Sequence, residues 1–140
     1  SLKIDSTDGF LTRDPKILRK LHGENIILIN HDAYSIYQNL SNISGAVTIG
    51  DDTTRMSGYI LKRFGIPLIG IVDGDKDGII KGEHFYSGSV LFEVMGDDIS
   101  GDKIQSYFFK GKKSIKSDFE CLKKDIEVYL GEEIIRKIEY

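Results

Sequence analysis

Leu68-Ile69-Gly70-Ile71-Val72-Asp73-Gly74-Asp75-Lys76-Asp77-Gly78 carries a continuous apolar run straight into three alternate aspartates on a glycine-hinged turn. The apolar run, residues 68–72, is too short for a helix and suits a strand buried on both faces, as in a parallel sheet. Two unit charges about 5 Å apart repel by roughly 3 kcal/mol at an effective dielectric of about 20. Three ionised aspartates on one turn therefore raise one another's pKa or share a divalent cation, Mg²⁺ first and Mn²⁺ or Ca²⁺ as alternatives. The competing reading is a turn in which each carboxylate accepts from a backbone N–H, since Asp and Gly dominate turns for local reasons.

Working outward, residues 26–29 (Ile26-Ile27-Leu28-Ile29) and 46–49 (Ala46-Val47-Thr48-Ile49) repeat the short apolar signature of a buried strand. The intervening residues 33–40, with Ile36 and Leu40 in phase, read as a crossover helix. A second helix carries Met56, Ile60 and Phe64 on one face and stops at Gly65, before Pro67. Strand, helix, strand, helix, strand with short connections indicates βαβ units and a parallel sheet. Before this core, residues 14–23 form a short helix with Asp14 as N-cap and Pro15 in its first turn. After it, residues 89–95 form a further strand, placed at an edge because Glu93 interrupts it. The signal weakens after Gly96-Asp97-Asp98. A last helix follows, with Ser117 and Glu120 at capping-box spacing and Phe119, Leu122, Ile126 and Leu130 on one apolar face; Gly131 separates it from a terminal turn over 132–140. The expectation is a three-layer α/β domain, a Toprim-like or Rossmann-like parallel-sheet core in βαβαβ order with an additional strand and a C-terminal helix.

The 140 residues fit one domain over 1–140. A formal net charge of −3 gives no global reason to bind nucleic acid. Cys121 is the only cysteine, so an intramolecular disulfide is excluded, and its helical position suits a small buried or half-buried hydrophobe. No apolar run has membrane-spanning length, which gives the expectation of a cytoplasmic chain with no membrane partner. The first residue is Ser1, and the expectation is a segment of a longer protein.

In open parallel sheets, ligands bind beyond the carboxyl ends of the strands. The three core strands end in Asn30-His31-Asp32, Asp51-Asp52-Thr53-Thr54-Arg55 and Asp73-Gly74-Asp75-Lys76-Asp77. Asp51, Asp73, Asp75 and Asp77 are hard oxygen ligands for Mg²⁺, and Asp32 and His31 are candidate proton-transfer groups. Thr53, Thr54, Arg55 and Lys76 are candidates for holding a phosphate that shares the metal. Acids and hydroxyls at a helix start also serve simply as caps, so 51–54 retain that second reading.

Asp73, Asp75, Asp77 and Gly78 match the first, third, fifth and sixth positions of a calcium loop, but the twelfth is His84 where Glu is required, and a strand precedes the loop. A haloacid-dehalogenase phosphatase also places two Asp after a strand, yet its pattern has Thr or Val where Asp77 stands. Asp73-Gly74-Asp75-Lys76-Asp77-Gly78 resembles the Asp-x-Asp-x-Asp-Gly element of Toprim domains, which follows a parallel strand and holds Mg²⁺. The resemblance spans residues 26–78 and implies a metal site. Where that family places its glutamate, this chain has Asn30, so Asp32 or His31 would take the proton-transfer role. Residues 50–55, 64–67 and 73–75 also resemble a family of uncharacterised archaeal proteins found mainly in methanogens, which implies a cytoplasmic setting and a larger parent protein.

Tyr107-Phe108-Phe109-Lys110-Gly111-Lys112-Lys113-Ser114-Ile115-Lys116 interleaves rings with lysines, a combination that stacks bases and neutralises phosphates. The alternative assigns the rings to a strand and the lysines to a solvated loop. The functional expectation is a divalent-metal-binding domain whose partner is a phosphate-bearing small molecule or a nucleic acid, with phosphodiester or phosphoryl chemistry if it is an enzyme. A noncatalytic regulatory or ligand-binding module, alone or as a homo-oligomer, is the alternative.

Overall fold

The computed structural model describes residues 24–32, 43–73 and 85–140. Strands β1 (Asn25–Asn30), β2 (Ile43–Ile49), β3 (Leu68–Val72) and β4 (Val90–Val94) lie parallel and side by side in chain order. Two antiparallel strands close the edges: β5 (Ser114–Lys116) pairs with β1 and β6 (Ile134–Glu139) pairs with β4. The described residues also form helices α1 (Asp51–Lys62), α2 (Asp97–Tyr107) and α3 (Phe119–Leu130) and a short 3-10 turn, Gly131–Glu133, before β6. The molecule is α/β, but its sheet is mixed rather than parallel, in the order β5-β1-β2-β3-β4-β6. This order has no reversal within β1–β4, unlike the doubly wound Rossmann arrangement. The expected helices over 14–23 and 33–40 fall outside the described residues.

Alternation along the strands sends apolar side chains to both faces. On one face Ile26, Val47, Ile69 and Phe92 meet Ile104 of α2 and Phe119, Leu122 and Ile126 of α3. On the other Ile27, Ala46, Leu68 and Leu91 meet Leu61 of α1, together with Ile66 and Phe85. Helices on both faces give three layers. No helix among the described residues is long and apolar enough to cross a membrane.

Several local expectations change. The buried face of α1 is Thr53, Thr54, Ser57, Gly58 and Leu61, whereas Met56 and Phe64 are exposed. Small residues let this helix lie close to the sheet, and Thr54 Oγ1 shares a 2.8 Å hydrogen bond with Thr48 Oγ1 beneath it. Strand β4 is interior, because β6 covers its outer side and Arg136 pairs with Glu93 (Nη2 to Oε1, 2.8 Å). The segment expected as a terminal turn is therefore a strand. The cap of α3 is Asp118, whose Oδ2 accepts from Cys121 N–H at 3.0 Å, rather than Ser117. Cys121 itself is exposed, and a side-chain hydrogen bond of its thiol with Asp118, separate from the backbone cap, holds the thiol pKa up, away from the reactive thiolate.

Gly45 in β2 faces the Phe119 ring so closely that a Cβ there would lie 2.2 Å from Phe119 Cδ1. The ring is 3% exposed and walled in by core neighbours. Gly45→Ala is expected to destabilise the fold by about 1–3 kcal/mol, read as a lower urea midpoint with an unchanged m-value.

Candidate functional site

Parallel strands in chain order place the residues following β2, β3 and β4 along one edge. After β2, Gly50 turns the chain at φ 109° and Asp51 opens α1. Asp73 directly follows β3. After β4, Met95-Gly96 leads to Asp97, the first residue of α2. One carboxylate oxygen from each of Asp51, Asp73 and Asp97 lies within 4.8 Å of the other two. The backbone N–H of Asp73 donates to Asp51 Oδ1 at 3.0 Å, which ties the end of β3 to the start of α1. Neither Gly50 nor Gly96 supplies a side-chain cap, so the first-turn aspartates meet the positive ends of both helix dipoles.

Asp97 is the most constrained member. It is 8% exposed, and its carboxylate makes no hydrogen bond or ion pair among the described residues. Burial is the chief cause that pushes its pKa from the ordinary 3.8 up to about 6. Asp73, Asp98 and Asp51 push in the same direction, and His31 opposes them.

His31 sits beside this cluster on a left-handed backbone, φ 62°. Its ring covers Gly50, where a Cβ would lie 2.9 Å from both Cε1 and Nδ1 and would displace the ring, and the positive φ favours glycine there. His31 Nε2 is hydrogen-bonded to Asp98 Oδ1 at 3.0 Å. Asp52, the counterpart of Asp98 after β2, instead pairs with Arg55 Nη1 at 3.0 Å. Asn30 Nδ2 donates to Gln105 Oε1 at 3.3 Å, while Asn30 Oδ1 is buried without a partner among the described residues.

Of the residues singled out from the sequence, Asp51 and Asp73 come together. His31 stands next to them across Gly50, and Asp32 is exposed just beyond β1. Thr53 and Thr54 are buried in α1, with the Thr54 hydroxyl engaged by Thr48, and Arg55 is held by Asp52. Asp75, Lys76 and Asp77 lie outside the described residues. Sequence reasoning missed Asp97. The signal was there: Gly-Asp-Asp occurs at 50–52 and again at 96–98. In each copy the first aspartate joins the cluster and the second turns outward to a basic side chain.

A family model described as "Uncharacterized protein conserved in archaea (DUF2117)" matches residues 8–112. An uncharacterised protein of Methanocaldococcus jannaschii is 41% identical over 113 residues, covering 75% of this chain and 31% of that protein. The chain thus spans about a third of the length of this curated relative. No solved structure matches the chain.

The raised pKa of Asp97 makes the folded state bind more protons than the unfolded state between about pH 4 and pH 6. In metal-free buffer, this contribution makes stability fall as pH rises through that window, by roughly 2–3 kcal/mol in total. Asp97→Asn is expected to flatten that fall, giving a higher unfolding midpoint than the native chain at pH 7 and no advantage at pH 4, as urea titrations at the two pH values will read.

Proposed function

The chain belongs to the family of uncharacterised proteins conserved in archaea, and we propose that it is a divalent-cation-binding module that presents the cation to a phosphate-bearing ligand. The observation that carries the reading is Asp97: a buried residue whose carboxylate has no hydrogen-bond partner among the described residues and faces two more carboxylates. Three carboxylate oxygens form a hard donor set suited to Mg²⁺, with Mn²⁺ and Ca²⁺ as alternatives. Asp51, Asp73 and Asp97 hold the cation, and Asp75 and Asp77, two and four residues after Asp73 in the sequence, are further candidate donors.

The phosphate part of the reading rests on the two helix starts. Both α1 and α2 begin at the acidic cluster without side-chain caps, and N–H groups at such starts are donors for an anion that shares the cation. Arg55, Thr53 and Thr54 belong to the first turns of α1, and Lys76 is a further candidate cation by its place in the sequence. A bound cation supplies charge neutralisation and a more acidic water. His31, hydrogen-bonded to Asp98, is the first candidate for exchanging a proton, and Asp32 is the second. If the module turns over its ligand, the reaction is phosphodiester or phosphoryl transfer.

A noncatalytic ligand-binding module is the second reading, favoured by Asn30. The residue at the end of β1 is an amide engaged with Gln105, not a carboxylate. Metal-dependent hydrolysis of a phosphodiester, lost in Asp73→Asn, selects the enzyme, while ligand binding without turnover selects the module.

Thermal unfolding in EDTA and in Mg²⁺, Mn²⁺ or Ca²⁺ tests the cation site. A cation at 100 times its Kd is expected to stabilise the native chain by about 2.7 kcal/mol. Asp97→Asn is expected to lose that rise while starting from a higher midpoint in EDTA. No metal-dependent rise in the native chain would overturn the proposal.

A further inference from the structure

We infer that the exposed connection from α2 to β5 binds single-stranded nucleic acid, a proposal that does not rest on the acidic cluster. Lys110, Lys112, Lys113 and Lys116 are all exposed, and none forms an ion pair among the described residues. Lys103, Lys123 and Lys137, by contrast, each engage a glutamate. Lys116 also borders a second cavity with Glu24, Asp118 and Glu120, so in a chain of net charge −3 the local excess that a polyanion relieves is at Lys110, Lys112 and Lys113.

Lys110, Lys112 and Lys116 border an open cavity of about 350 Å³ whose apolar lining includes Phe108 and Ile115, with Asp125 as the acid on its rim. Next to it, Tyr107 is 60% exposed. Its ring stacks on Tyr129 at 4.5 Å and meets the edge of Phe108 at 4.9 Å, so it is held in place while remaining accessible. The segment is pre-shaped. Lys110 and Gly111 take left-handed backbone at φ 53° and 81°, and Leu28 N–H donates to Lys113 C=O at 2.8 Å. An exposed ring held against Phe108 of the cavity lining, three residues before the first of the successive cations in the sequence, matches a ligand with flat bases on a phosphate chain. An acidic peptide would match the charge but give the ring no partner.

Fluorescence anisotropy with a labelled single strand of about 20 nucleotides, in EDTA and between about 50 and 200 mM salt, tests the assignment. The native chain is expected to bind, with log affinity falling linearly in log salt. Lys110→Gln/Lys112→Gln/Lys113→Gln is expected to reduce the salt slope by about 2 and to weaken binding more than about tenfold at the low-salt end. Tyr107→Ala is expected to weaken binding about tenfold with the slope unchanged. Circular dichroism melts check that both variants remain folded. No binding at the low-salt end, or binding that neither variant alters, would overturn the proposal. Loss in the lysine variant alone, with polyglutamate competing as well as unlabelled strand, would overturn the nucleic-acid assignment in favour of nonspecific polyanion contact.

Discussion

Four parallel strands laid side by side in chain order must deliver whatever follows each of them to the same edge, and in this chain three of those deliveries are aspartates. The architecture thus creates the repulsion at its centre. Asp51, Asp73 and Asp97 have little freedom to separate, because each is fixed within three residues of a strand end. The fold answers part of the repulsion locally, through the Asp73 N–H on Asp51, two uncapped helix starts and the proximity of His31. Asp97 receives no hydrogen bond among the described residues, and burial first, then the neighbouring carboxylates, raise its pKa. A cation is the simplest agent that satisfies all three carboxylates together.

The parts of the fold legible in the sequence are those where burial is written in large residues. The apolar runs at 26–29, 46–49 and 68–72 have no other use than buried strands, and Phe119, Leu122, Ile126 and Leu130 mark the α3 face. Helix α2 escaped notice because its buried positions are Asp97, Ser100, Gly101 and Ile104. These keep helical spacing, but three of them are polar or lack a side chain, so hydropathy does not register the face. Contact geometry explains the choice: a Cβ on Gly101 would lie 2.5 Å from Ile49 Cγ2. Strand β6 was obscured differently, since Arg136, Lys137 and Glu139 interrupt an edge strand that needs charge on its open side.

The site divides along the same line. Asp51 and Asp73 were readable because each sits directly after a conspicuous strand or turn. Asp97 follows an equally clear strand, but its role depended on β4 being the neighbour of β3 and on a helix that hydropathy hid. The repeated Gly-Asp-Asp was a topological sign as much as a chemical one. It marks two strand-to-helix turns that converge, with glycine giving close approach and aspartate meeting the helix dipole. The rings of 107–109 were ambiguous for another reason: Phe109 is fully buried while Tyr107 is exposed, a distinction that tertiary packing alone makes.

The most direct test of the account is where a cation sits. A crystal of the native chain soaked in Mn²⁺, measured for anomalous scattering, is predicted to show a peak about 2.1 Å from one oxygen each of Asp51, Asp73 and Asp97. A map with no peak between those carboxylates at millimolar Mn²⁺, in a lattice that leaves the edge open, would contradict it.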